Sequence, residues 1–222
     1  MITDKRFADY IRSLEPESSP LLQEIAGKAG WRDHAIQTGT MISEMNASYA
    51  ALLTLMLDMT RPQRVLEIGT AVGYSALLMC GHLPPQGHIT TIENYDKRIV
   101  QARANFRRAG LEDRIELLEG DACQILPELE GPYDFVFMDA AKGQYIHYLP
   151  DTLRLLRTGG VLFADNVLQE GDVIQSRYAM KRRDRTIHAR MRQFLWEIKH
   201  NEQLRTSVIT LGDGVSISYK IN

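Results

Sequence analysis

Two rhythms of apolar and polar residues alternate along this chain. Short runs rich in apolar residues recur at Val65–Ile68, Ile89–Glu93, Ile115–Glu119, Phe135–Met138 and Gly160–Ala164. Each has the length and composition of a strand buried within a sheet. Between them lie stretches with the 3.6-residue period of amphipathic helices. Glu44–Met59 puts Leu52, Leu55, Met56 and Met59 on one face, and Tyr74–Cys80 reads as a short buried helix. Asp96–Ala109 lines up Ile99, Ala102, Phe106 and Ala109, with Gly110 as a natural stop, and Gln144–Leu156 reads as helical too. Ile187, Met191, Phe194, Leu195 and Ile198 mark one more buried helix face. Thr206–Leu211 and Val215–Ile221 alternate about Gly212-Asp213-Gly214, the signal of a β-hairpin.

The first forty residues read differently. Asp4–Leu14 predicts a short helix closed by Glu15-Pro16, and Ser19-Pro20 predicts an N-cap with proline at the first helical position, opening a helix to about Ala29. Trp31–Thr40 reads as an irregular linker, so residues 1–40 form a helical extension. Strands alternating with helices predict an α/β fold, a Rossmann-like, doubly wound sheet with helices on both faces. Seven strands are expected, parallel except at an antiparallel C-terminal hairpin edge. At 222 residues the chain suffices for one sizeable core, and one domain over 1–222 is expected.

Composition narrows the function classes. The net charge of -2 gives no global field that would mark nucleic acid as a partner. No apolar signal region opens the chain, and no stretch approaches the roughly 18 apolar residues of a membrane span. Cys80 falls in a predicted buried helix and Cys123 follows a strand, so both read as reduced structural thiols of a cytoplasmic protein. Internal repeats and low-complexity tracts are absent.

The chemistry centres on Arg64–Cys80, RVLEIGTAVGYSALLMC. A strand, a glycine turn and a helix make the first unit of an open α/β sheet, which binds ligands at the carboxyl ends of its strands. Gly69 allows a sharp turn and close backbone approach, while the helix amides suit an anionic group. The spacing is G-x-x-x-G, so the pyrophosphate approach of a G-x-G-x-x-G dinucleotide site is not encoded. Glu93 ends the second strand twenty positions after Gly73, where an acid suits ribose hydroxyls. A ribose without a pyrophosphate points to S-adenosylmethionine (SAM).

Asp139 and Asp165 end two runs that predict neighbouring strands, and Asn166 follows directly. Either acid alone is as well explained as a helix N-cap. Together, two carboxylates and an amide oxygen form an all-oxygen set suited to Mg²⁺, and also to Mn²⁺ or Ca²⁺. Lys142 is either a surface lysine at a helix start, where its charge opposes the helix dipole, or a base made neutral by burial and a nearby cation.

The ordered set VLEIGTAVGYSALL, TIE, GDA at Gly120–Ala122, FMDAAKGQY at Phe137–Tyr145 and ADN at Ala164–Asn166 resembles the metal-dependent SAM O-methyltransferases of the catechol and caffeoyl-CoA type. The likeness runs from roughly Gly39 to the C-terminus. It implies that Met45, Glu67, Gly69, Thr70, Ser75, Glu93, Ala122 and Asp139 border the cofactor. It also implies that Asp139, Asp165 and Asn166 hold the metal, and that Lys142 takes the hydroxyl proton. Asp121 can equally be a helix N-cap. Family members are often homodimers.

GTAVGYSA, DAAKGQY, DNVL and GDGVSIS resemble most the bacterial tRNA 5-hydroxyuridine methyltransferases, which make 5-methoxyuridine at the anticodon wobble position. Arg177–Arg192 fits that likeness, with seven basic residues against the single acid Asp184. This segment is expected to overhang the site, with Lys181, Arg182, Arg183 and Arg185 on the RNA. The alternative acceptor is a small catechol-like molecule or a caffeoyl-CoA-type ester. Arg103, Arg107 and Arg108 read as a solvated face.

Overall fold

The structure is a computed structural model that describes Tyr10, Ser13, Leu14 and residues 19–28 and 42–222, without the side chains of 28 and 42–48. Most of the expected first helix and all of the 31–40 linker lie outside these residues.

Five parallel strands form the body of the sheet: β1 (Arg64–Ile68), β2 (His88–Glu93), β3 (Ile115–Glu119), β4 (Tyr133–Met138) and β5 (Leu156–Asp165). β6 (Leu204–Ile209) and β7 (Val215–Lys220) form the hairpin, and β7 runs antiparallel to β5. The order is β3-β2-β1-β4-β5-β7-β6. It reverses direction at β1, where β4 pairs on the opposite side from β2, and such a reversal opens a crevice at the carboxyl edge.

Successive side chains of a strand point to opposite faces, so the sheet separates two cores. On one face Val65, Phe135, Phe137 and Phe163 pack against α1 (Pro20–Lys28), α2 (Ile42–Thr60), α3 (Tyr74–Gly81) and α4 (Asp96–Ala109). On the other, Leu66, Ile68, Val136, Met138 and Leu162 pack against α5 (Ala122–Glu128), α6 (Tyr145–Leu155) and α7 (Arg185–His200). The expected caps are present. The Leu22 amide donates to Ser19 Oγ across 3.4 Å at the start of α1, and Gly110 closes α4 in the left-handed region at φ 65°.

Three details depart from the sequence reading. The buried stripe of α2 is Leu53 and Leu57, both wholly buried, whereas Leu55 and Met59 are 54% and 71% exposed. Nearly every residue from Ala50 to Leu57 is apolar, so the period fixes a helix but not its rotation. β5 begins at Leu156 rather than Gly160, because Tyr133 pairs with Leu156 ahead of a shift in register to Phe135 and Val161. A 3₁₀ turn over Lys142–Gln144 precedes α6, which starts one residue later than expected.

Gly69 stands where the ends of β1 and β4 approach most closely. Its φ is 106°, and a Cβ there would collide with the carbonyl oxygen of Asp139. The end of β1 therefore reaches the end of β4 only through a residue with no side chain. Gly69→Ala is expected to destabilise the protein by about 2 kcal/mol or more and lower Tm by at least about 4 °C. An unchanged thermal midpoint would show that the two strand ends can separate without cost.

Candidate active site at the carboxyl edge of the sheet

A cavity of about 690 Å³ opens over the ends of β1, β2, β4 and β5. Gly69, Thr70 and Ser75 from the first turn line it, together with Glu93, Ala122, Asp139, Lys142, Asp165 and Asn166. The sequence-predicted residues thus converge on one wall, with three exceptions. Glu67 lies behind the wall, Met45 is in α2 with its side chain outside the described residues, and residues 177–185 do not line the cavity.

Glu67 is wholly buried and has two hydroxyl donors, Ser75 at 2.5 Å and Thr91 at 2.5 Å. Thr70 and Thr91 share a further hydrogen bond of 2.6 Å. Burial pushes the Glu67 carboxyl up to about 7, and the two hydroxyls only partly offset it. Glu67 therefore acts on the cavity through Ser75, whose hydroxyl it orients. Thr91 is a member of this network that sequence reading passed over, since a threonine fits an ordinary strand.

Glu93 caps the glycine turn. One carboxylate oxygen accepts from the Ala71 amide at 2.8 Å, the other from the amides of Asn94 and Tyr95 at 3.0 and 3.1 Å. A carboxylate offers about four lone-pair positions, so one is left for a ligand hydroxyl. Asp121 proves to be an N-cap, accepting from the Cys123 amide at 2.9 Å, and this sets Ala122 on the cavity wall at the head of α5. Cys123 is exposed and Cys80 buried, and both are free thiols.

The reacting end is built by strand register. Met138 pairs with Ala164, so Asp139 and Asp165, one residue further on, leave adjacent parallel strands side by side. Asn166 turns the chain at φ 53°, and its amide donates to Asp165 Oδ1 at 2.7 Å. The segment after β5 is clasped by the hairpin: the amides of Val167 and Leu168 donate to Gly214 and Asp213 carbonyls, and the Glu170 amide donates to the Asp213 carboxylate. Asp213 thereby joins the cavity wall, another residue the sequence reading passed over.

Lys142 Nζ reaches Asp139 Oδ1 at 2.7 Å, the Tyr145 hydroxyl at 2.9 Å and the Asp165 carbonyl at 3.4 Å. Burial acts to lower the Lys142 pKa, but Asp139, Tyr145 and Asp165 outweigh it and hold the amine charged. This direction is opposite to the one expected for a ready base. Tyr145 supplies the hinge of the arrangement. Its ring is wholly buried edge-on against Phe194 of α7, with centroids 5.4 Å apart, and its hydroxyl bridges the carbonyls of Met138 and Asp165 at 3.0 and 3.1 Å. It stood in the quoted motif without an assigned role.

The donor set fits a hard divalent cation. Burial, then the charge of Asp139, raise the Asp165 carboxyl to about 7, and Lys142 offsets this only in part. A largely buried carboxylate at Asp165, an exposed one at Asp139 and an amide oxygen beside them present the hard ligands that Mg²⁺ and Ca²⁺ take. Among the described residues no three or more His, Cys, Asp and Glu group for a metal; the set is two acids and Asn166.

The basic segment divides into structural and free members. Arg190 donates to the Gly143 carbonyl at 3.1 Å, Arg192 to Val173 at 2.6 Å and Arg185 to Met180 at 3.2 Å. Arg190 thus ties α7 to the turn that carries Lys142. Lys181, Arg182 and Arg183 are exposed, and Arg183 lies 3.5 Å from Asp184. On α4, Arg103 and Arg108 pair with Glu119 and Glu24, each at 2.6 Å, as a solvated face does.

The raised acids set a pH dependence. Asp165 and Glu67 rise from 3.8 and 4.5 to about 7 on folding. Between about pH 4 and 7 the unfolded chain therefore holds fewer protons than the folded one, and stability falls as pH rises through that window. Asp165→Asn is expected to raise the metal-free Tm at about pH 8, and to abolish stabilisation by Mg²⁺. In the unsubstituted protein Mg²⁺ should raise Tm more at about pH 8 than at about pH 5.5, because the ligand must be ionised. Thermal melts of both proteins check this; equal Mg²⁺ shifts at both pH values, or in both proteins, would contradict it.

A family profile described as O-methyltransferase matches residues 17–221. The chain is 38% identical over 131 residues to the catechol O-methyltransferase of Mycobacterium tuberculosis, a match spanning 59% of this chain and 60% of that enzyme. It is 33% identical over 162 residues to that of Niastella koreensis, covering 68% and 73%, and 27% identical to caffeoyl-CoA O-methyltransferase 2 of Populus trichocarpa, covering 93% and 83%. Among solved structures it is similar to the O-methyltransferase TomG of Streptomyces achromogenes in complex with SAM, with TM-score 0.81, 26% identity and 100% of each chain covered. The O-methyltransferase of Bacillus cereus in complex with SAH has TM-score 0.80 and 25% identity over 97% of each chain. With a profile match from residue 17 to 221 and a sheet that superposes on such enzymes, the chain belongs to the O-methyltransferase family of the catechol and caffeoyl-CoA type.

Proposed function

We propose that this protein transfers the methyl group of SAM to one of two neighbouring oxygens of a small catechol-like acceptor, with a divalent cation, most naturally Mg²⁺, held by Asp139, Asp165 and Asn166. The observation that carries the reading is the register of β4 and β5, which sets the carboxylates of Asp139 and Asp165 side by side next to Lys142. The curated relatives named above act on catechol and caffeoyl-CoA, and this favours a small molecule as the acceptor.

The chain's own residues have separable tasks. Gly69, Thr70 and Ser75 would hold the methionine end of SAM, Glu93 would offer its remaining lone pair to ribose, and Ala122 would border adenine; all five line the cavity. When bound, SAM supplies an electrophilic methyl group, and the cation supplies positive charge that favours the anionic form of the acceptor hydroxyl. Lys142 takes the hydroxyl proton at Nζ. Uptake needs the neutral amine, which its pairing with Asp139 opposes; a cation held by Asp139 would weaken that pairing. Tyr145 keeps Nζ in place by accepting from it while anchored to the strand ends. A fixed line from oxygen to methyl carbon to sulfur is what such positioning provides.

One observation favours a second reading, in which the acceptor is 5-hydroxyuridine at the wobble position of tRNA. Lys181, Arg182 and Arg183 stand exposed with few acids near them in sequence, which suits phosphate contacts. The 5-hydroxyl and O4 of that base are also neighbouring oxygens, and a single-stranded anticodon base can be splayed into a pocket.

Methylation assays with catechol and with tRNA bearing 5-hydroxyuridine decide between the two. The first reading expects catechol turnover that survives replacement of the exposed Lys181, Arg182 and Arg183 by Ala, Arg185 being kept for its bond to the Met180 carbonyl. The second expects tRNA turnover that the same replacement removes, with each lost phosphate contact flattening the slope of log affinity on log salt by roughly 0.7–0.9. Failure of both acceptors, or turnover undiminished by excess chelator, would refute the proposed chemistry. Lys142→Ala should lower single-turnover methyl transfer by about 10²–10⁴-fold with SAM binding retained; an unchanged rate would reduce Lys142 to an ion-pair partner of Asp139.

A further inference from the structure

Tyr49 is a residue of the cavity wall that neither the family motifs nor the chemistry above accounts for. It projects from α2 into the same cavity as Asp139, Lys142 and Asp165. Its ring is held edge-on to Phe163 with centroids 5.7 Å apart, and tilted against Phe137 at 6.2 Å. Those two rings come from β5 and β4, the strands whose ends carry the two acids. The position of the Tyr49 hydroxyl is therefore set by packing rather than by a polar anchor.

That hydroxyl is buried and has no hydrogen-bond partner among the described residues. Leaving a buried hydroxyl unpaired costs about 1–3 kcal/mol, and phenylalanine would fill the same space without that cost. The contrast with Tyr145 is informative. Its hydroxyl, buried behind Lys142, has Lys142 and two strand-end carbonyls as partners. The site can satisfy a tyrosine where the fold requires it, and Tyr49 is left open.

The open group is a donor. Burial first, then Asp165, Asp139, Tyr145 and Glu67, hold its proton on well above the ordinary range of a phenol. The Tyr49 ring packs on Phe137 and Phe163, each two residues before Asp139 and Asp165 on its strand, so the hydroxyl lies toward the Asp139–Asp165 end of the cavity. A ligand that fills that end brings oxygen.

We propose that the Tyr49 hydroxyl donates a hydrogen bond to an oxygen of the methyl acceptor and helps to select which of its two neighbouring oxygens is methylated. The proposal rests on the O-methyltransferase reading above and adds a specificity-determining residue to it. Tyr49 requires an acceptor with an oxygen lone pair facing α2. It gives no advantage to an analogue carrying hydrogen or methyl at that position.

The test is Tyr49→Phe, which keeps the ring against Phe137 and Phe163 and removes only the hydroxyl. With SAM and Mg²⁺, the KM for catechol should rise by about 3–10-fold, the loss expected for one neutral hydrogen bond. The ratio of the two monomethylated products of 3,4-dihydroxybenzoate should change, which a purely structural role would not cause. SAM affinity by calorimetry should be unmoved, and Tm should hold or rise. If tRNA proves to be the acceptor, the KM is read on tRNA bearing 5-hydroxyuridine with the same expectation.

Unchanged KM and product ratio would overturn the assignment. So would weakened SAM binding with the acceptor KM unmoved, since the hydroxyl would then serve the cofactor. If the unsubstituted protein methylates neither acceptor, the proposed function itself fails, and this assignment falls with it. Normal methylation by the unsubstituted protein with an indifferent Tyr49→Phe variant sinks the Tyr49 role alone.

Discussion

Asp139 and Asp165 are two acids that the sheet forces together. Parallel register between β4 and β5 makes them neighbours, and burial together with Asp139 lifts the Asp165 carboxyl to about 7. A fold optimised only for stability would not hold two acids there with Lys142 as the main offset. Perturbed ionisable groups in a cleft are a feature of working sites, and a divalent cation is the partner their charge and oxygen donors suit. Much of the surrounding structure reads as support for this one electrostatic arrangement.

That support comes from both sides of the sheet. On one side α7 packs Phe194 on Tyr145 and ties Arg190 to Gly143, so the turn carrying Lys142 is braced by a helix far along the chain. On the other, Phe137 and Phe163 carry the ring of Tyr49 to the same cavity. The C-terminal hairpin clasps the segment after Asp165 through Val167, Leu168 and Glu170. Elements beyond β5 thus serve to hold strand ends and turns in place. This is why the basic run at 177–192 is partly structural, with Arg185, Arg190 and Arg192 bonded to backbone carbonyls.

The strands and most helices were legible because each has a strong local signature. Buried parallel strands read as compact apolar runs, and Ser19-Pro20 and Gly110 mark helix ends by their own conformational preferences. Residues whose meaning depends on chain-distant partners were not legible. The rotation of α2 escaped because Ala50–Leu57 is apolar almost throughout, so only packing on the sheet selects Leu53 and Leu57. Thr91 meets Glu67 across 24 positions and Asp213 meets Glu170 across 43. Asp139, Lys142, Asp165 and Asn166 stood out by residue type and strand-end position, and the structure brings them together. Tyr49 carried no signal, standing at the head of the apolar run from Ala50 to Leu57.

The most direct measurement of the central claim is a crystal structure of the unsubstituted protein grown with Mn²⁺ and S-adenosylhomocysteine, with anomalous data collected for manganese. The account predicts an anomalous peak ligated by Asp139, Asp165 and Asn166, with Lys142 withdrawn from its 2.7 Å pairing with Asp139. Ordered S-adenosylhomocysteine in the cavity with no manganese between the two strand ends, and Lys142 still paired with Asp139, would contradict it.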